Sequence, residues 1–159
     1  MVERIKKGKK AQSSLELLIT LAFGLAILLP LVLLAFIQLA NTSTSLSGSE
    51  SQQAASKLST VATLIGNEGP PAKQLVQINV PPGVAYVYIG TQTGQVGHEI
   101  TFVIRGASGE SYVTSYTPVN ISGQLGGITP VGTYIVNVSA QANCPTNPAI
   151  PCVYLSETT

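Results

Sequence analysis

From Leu17 to Ala40 the chain runs for 24 positions without a charged side chain. About 20 apolar residues are enough to cross a bilayer as a helix. A soluble helix of this length alternates an apolar stripe with a polar face, and this run does not. Pro30 interrupts it midway. A proline there removes one backbone hydrogen bond, so a kink or local opening is expected. Neighbouring helices can satisfy the carbonyl it frees. Past Ala40 the pattern changes. Asn41–Gln53 is rich in Ser and Thr, which are mediocre helix formers. Ala54, Ala55, Leu58, Val61, Ala62 and Ile65 then recur at spacings of one, three and four, the stripe of one helix face. The pattern predicts a single long helix, weak around Ser43–Ser49, that stops near Asn67-Glu68-Gly69-Pro70-Pro71. If continuous from Gln12 to Ile65 it would reach about 80 Å.

From about Pro71 the period switches to two. Tyr86 and Tyr88 share one face of Val84–Ile89; Ile100, Phe102 and Ile104 share one of Glu99–Arg105; Tyr134, Val136 and Val138 share one of Thr133–Ala140. Gln74–Val80, Ser111–Thr117 and a short Val153–Leu155 are further candidate strands. Turn-rich pieces separate them: Pro81-Pro82-Gly83, Gly90–Gly97, Gly106–Gly109 and Ser122–Gly127. The expected fold is α+β. A long hydrophobic N-terminal helix leads into a small antiparallel β-sheet or β-sandwich head. Residues 71–159 are enough for one modest core. The helix, residues 12–66, divides into an apolar part, 12–40, and a polar then amphipathic part, 41–66.

Charge sharpens the organisation. Arg4, Lys6, Lys7, Lys9 and Lys10 against Glu3 give residues 1–11 a net +4, whereas Lys57, Lys73 and Arg105 against six acids leave residues 12–159 at −3. A basic leader stays on the cytoplasmic side while the rest is translocated. With so few bases in the remainder, nucleic-acid binding is not expected. A secretory signal carries its small-residue cleavage site after the apolar segment. Here the small residue, Ala11 before Gln12, lies ahead of it, so cleavage would remove the charges and keep the helix.

Ala11, Gln12, Ser13, Ser14, Leu15 and Glu16, behind the basic leader, resemble the class III signal peptide of archaeal type IV pilins. Ala11 departs from the Gly that many such pilins carry, and both are small. Archaellins share the layout but usually lack an acid near the cut, so Glu16 favours a pilus. The resemblance covers about the first third of the chain. It implies cleavage between Ala11 and Gln12 by a membrane-embedded prepilin peptidase. Passage through the membrane and a pilus assembly platform would follow, then homopolymerisation around the helix into a surface filament for adhesion. It also implies that Glu16 meets the α-amine of Gln12 of a neighbouring subunit. An in-chain pair is the alternative, because Gln12 and Glu16 are four apart on one helix. Either pairing answers a physical need, since a carboxylate entering hydrocarbon costs several kcal/mol unless paired or neutralised.

The remaining chemistry is sparse. Charged residues make up 9% of the chain, against about 25% in ordinary soluble proteins. A head buried between subunits or coated with sugar tolerates that. Three sequons, at Asn41, Asn120 and Asn137, are candidate N-glycosylation sites. Asn137 alternates away from the Tyr134/Val136/Val138 face. Cys144 and Cys152 bracket the sequence CPTNPAIPC. A disulfide is expected in an extracytoplasmic setting, because no further Cys or His stands nearby to complete a metal site. The sole histidine, His98, reads as a loop-edge residue. No nucleophile stands beside a base and no Gly-rich phosphate loop follows a strand, so neither enzyme activity nor a cofactor is expected. The reading from a different class is an uncleaved signal anchor that presents a β-sandwich head to a ligand such as sugar.

Overall fold

A computed structural model of the chain describes residues 3–106, 109–128 and 131–158, with side chains from residue 15 onward apart from residues 40 and 44. Its elements are one helix, α1 (Glu3–Glu68), and six strands: β1 (Lys73–Val80), β2 (Val84–Gly90), β3 (Gly97–Gly106), β4 (Gly109–Gln124), β5 (Gly132–Gln141) and β6 (Cys152–Glu157). The fold is α+β, as the switch of period predicts. Two compact units divide at residue 42, Met1–Thr42 and Ser43–Thr159, and α1 contributes to both.

In the first unit α1 is apolar on every side. Each side chain from Leu15 to Leu39 is exposed apart from half-buried Gly24. The helix continues through Pro30. Thr20 and Thr42 turn their hydroxyls back onto the helix, donating to Glu16 O at 2.8 Å and Gln38 O at 2.9 Å. Such back-bonding satisfies a polar group without a partner outside the helix.

In the second unit the last turns of α1 form a lid over one face of the sheet. Ala54, Ala55, Leu58, Ala62 and Ile65 are buried and Val61 packs beside them, so the predicted stripe is the packing face. The Ser/Thr-rich segment Ser43–Ser49 stays helical. The helix stops at Glu68 because Gly69 takes φ +72°, and its N–H still reaches Ile65 O at 3.1 Å. A left-handed glycine after the last turn is a common helix terminator.

The strands form one sheet in the order β1-β5-β6-β4-β3-β2, so the head is a single sheet under a helix and not two stacked sheets. All neighbouring pairs are antiparallel except β4 and β6, which run parallel through Ile121↔Val153 to Gln124↔Ser156. The inward residues follow the alternation: Val76, Ile78 and Val80; Val84, Val87 and Ile89; Ile100, Phe102 and Ile104; Val136 and Val138; Val153 and Leu155. A bulge between Val84 and Tyr86 brings Val84 and Val87 onto the same side and leaves Tyr86 and Tyr88 on the outer one.

Two boundaries differ from the sequence reading, the first being the start of α1, at Glu3 rather than residue 12. Ser122–Gly127 was expected as a turn, whereas β4 extends to Gln124. The strand pairs with β3 from Gly109 to Tyr116 and again at Ile121, where it also takes up β6 on its other edge. Pro118, which has no N–H for a ladder, falls in the irregular stretch between Tyr116 and Ile121 where the β3–β4 register shifts. Polar ties hold helix to sheet: Ser115 donates its hydroxyl to Ser59 Oγ at 2.9 Å, and Lys57 Nζ donates to Gln77 O at 2.7 Å.

Leu58 is fully buried at the centre of the helix stripe, while Leu64 on the same helix is about half exposed. Leu58→Ala should therefore lower the stability of the head by about 2–5 kcal/mol. Leu64→Ala should cost far less. Chemical denaturation followed by far-UV circular dichroism compares the two.

Candidate functional site

The residues singled out from sequence fall in three places. Ala11 and Gln12 lie within the backbone of α1, and their side chains are outside the described residues. Glu16 is exposed one turn beyond them, at the edge of the apolar run that begins with Leu17. Pro30 is exposed among leucines. This end of the chain therefore presents an uninterrupted apolar cylinder with one acid at its threshold. It is long and apolar enough to cross a membrane.

The second place is the C-terminal hairpin. Cys144 and Cys152 are joined by a disulfide and both are buried. The bond closes the loop between β5 and β6 just where Gln141 pairs with Cys152. Within the loop, Cys144 N donates to Ile150 O at 3.0 Å and Asn147 N to Cys144 O at 3.1 Å. Bracing of the C-terminal strand, inferred from three prolines and two cysteines, is thus built around a specific hairpin. By chain entropy alone a loop this short gains about 2–3 kcal/mol from its cross-link.

The sequons are scattered. Asn41 is exposed on α1. Asn120 is half-buried, its amide 3.5 Å from Pro151 O. Asn137 is half-buried in β5, between Leu75 of β1 and Ser156 of β6. His98 is the second residue of β3, at the edge of the β2–β3 turn, and its ring meets Tyr116 with centroids 5.7 Å apart. Nδ1 is 3.1 Å from Val119 O, and because a carbonyl can only accept, Nδ1 carries the proton. This contact spans the stretch where β3 and β4 fall out of register, so His98 serves the fold. Among the described residues no three His, Cys, Asp or Glu side chains gather as a metal site would require.

The third place escaped the sequence reading: the outer face of the sheet. Tyr86 and Tyr88 stack there at 6.0 Å with planes 16° apart. Near the β3–β4 hairpin, Arg105 donates to Glu110 Oε1 at 2.9 Å and Tyr112 to Glu110 Oε2 at 3.3 Å. The hydrogen bond from Arg105, then that from Tyr112, hold the Glu110 carboxyl below its ordinary range. The Glu110 charge raises the Tyr112 phenol. Because both side chains are exposed, solvent screens the pair. Beside Tyr88, a cleft of about 410 Å³ opens between the β2–β3 turn, the end of β4 and the disulfide loop. Period-two alternation marked Tyr86 and Tyr88 as sharing a face, but the cleft depends on pieces of chain distant in sequence. No protein-family description, curated protein or solved structure matches this chain.

If the bridge forms in the native protein, alkylation without reductant should label neither Cys144 nor Cys152, and reduction should expose both. Intact-mass measurement reads the number of labels, and two labels before reduction would remove the brace from this account.

Proposed function

We propose that the chain is the precursor of an archaeal type IV pilin: a structural subunit that loses residues 1–11, polymerises through its N-terminal helix and builds an extracellular adhesive filament. The observation that carries this reading is the unpartnered apolar surface of α1 from Leu15 to Leu39, next to an Ala11–Glu16 segment that resembles a class III signal peptide. The core of the head is built from Ala54 onward and needs nothing from that surface. An exposed apolar area so large requires cover. Lipid supplies it before assembly, and the like helices of other subunits supply it afterwards. Prepilin peptidase and an assembly platform in the membrane are the partners this route requires.

Glu16 has a defined task on this reading. Once the leader is removed, the α-amine of Gln12 enters the apolar layer as a cation, and the Glu16 carboxylate of a neighbouring subunit neutralises it. The low charge of the head suits packing beside copies of itself or a sugar coat at Asn41, Asn120 or Asn137. An uncleaved anchor presenting its head to a ligand is the second reading, and the cleft beside Tyr88 is the observation that favours it.

Sequencing the amino terminus of the native protein separates the two, with a start at Gln12 for the pilin and at Met1 or Val2 for the anchor. Cleavage and assembly also separate by mutation. Glu16→Ala should yield mature-length protein but few filaments. The defect is an unpaired buried amine, worth about 3–5 kcal/mol where the pair is fully desolvated. Ala11→Leu should block processing itself. Mass spectrometry of the protein alongside filaments sheared from cells reads both effects. Wild-type filament yield from Glu16→Ala would remove the assembly role from this acid.

A further inference from the structure

We infer that the cleft on the outer face of the head is a binding site for a neutral saccharide. The cleft has a volume of about 410 Å³, within the range of about 300–1,000 Å³ typical of small-molecule sites. It is the right size for one or two sugar rings. Tyr88 and Tyr154 contribute aromatic surface, and Gln92, Gln124, Thr93 and Thr146 contribute amides and hydroxyls. No lining residue is charged. Phosphate and carboxylate ligands are held by Arg, Lys or clustered backbone donors, and a cation needs carboxylates. An array of aromatic faces, carboxamides and hydroxyls instead matches the C–H faces and neutral hydroxyls of a sugar.

Its walls are tied together. Ser122 is fully buried in β4. Its hydroxyl lies 2.8 Å from Thr146 Oγ1 in the disulfide loop and 3.2 Å from Gly94 O in the β2–β3 turn. One hydroxyl thereby links all three segments that enclose the cleft. The disulfide fixes the loop that carries Thr146, and Thr91 Oγ1 receives Gln95 N–H at 3.0 Å within the turn. Gly123, in the lining, leaves no room for a side chain, since a Cβ there would strike the Leu155 carbonyl. Preorganisation of this kind lowers the ordering cost of binding.

The site suits a filament subunit and a single anchored chain equally, so its test does not depend on assembly. Full-length protein in detergent micelles is titrated with maltose, lactose, cellobiose and N,N′-diacetylchitobiose. Glucuronic acid and inorganic phosphate are titrated in parallel, and saturation-transfer NMR reads binding. At least one neutral disaccharide should bind saturably. Tyr88→Ala should weaken that binding about tenfold, as removal of one stacked ring does, and Tyr88→Phe should largely retain it. Tyr116→Ala, on the outer face but outside the cleft, should change nothing. Gln124→Ala, at an exposed position, repeats the test if Tyr88→Ala disturbs the fold by circular dichroism. The inference is overturned if no neutral sugar binds, if an acidic ligand binds more tightly, or if Tyr116→Ala weakens binding as much as the cleft variants. Loss of filaments with binding intact would count against the pilin reading alone.

Discussion

The head depends on the burial of one helical stripe against one sheet face. Ala54, Ala55, Leu58, Ala62 and Ile65 form that stripe and are all buried in the core. A lone sheet has no second layer to dry its inner face, and burying apolar area gains about 25 cal/mol per Å². Without the helix, Phe102, Ile100, Ile121, Val136 and Leu155, all fully buried, would face water. The same element therefore does two jobs along its length. Its first part is apolar all round and has no head to cover, whereas its second part is apolar on one side only and completes a core.

Polar groups at this junction are treated unevenly. Ser59 meets Ser115 and Lys57 reaches a β1 carbonyl, so both tie the helix to the sheet at fixed points. Ser47 bonds back to Ser43 O at 3.1 Å. Ser51 Oγ is buried with no partner among the described residues, and nothing in the structure explains it. Serines in place of alanines along the packing face lower its apolar area.

Much of this was legible because its signals are local. The switch from continuous apolar character to a 3.6-residue stripe and then to a period of two located α1 and all six strands, although β4 runs on to Gln124 past the expected Thr117 and α1 begins at Glu3 rather than Gln12. Gly69 supplied the stop that its position after the stripe implied. Partner choice was not legible. Nothing in the residues of β4 announces that its far end also pairs with β6 in parallel, because that depends on chain more than thirty residues away. The same holds for the cleft, whose walls meet only after β2, β4 and the disulfide loop converge. The Ala11–Glu16 segment is the opposite case. Its meaning is carried by the order of residues, and the geometry of an isolated chain adds little to it.

The position of β6 has a consequence for how the head comes into being. This strand is the last of the six in the chain, yet it lies between β5 and β4 at the centre of the sheet. A chain emerging amino-end first can form the β2-β3-β4 meander early, since those contacts are close in sequence. β1 then waits for β5, and the gap between β5 and β4 stays open until Cys152–Glu157 arrives. Pairings between such distant segments are slow to form. The head thus closes as a late insertion, with two incomplete half-sheets persisting until the final strand seats. Throughout that interval the edges of β4 and β5 are open to pairing with another chain, so the speed of strand insertion sets how long the newly made head remains vulnerable to misassembly.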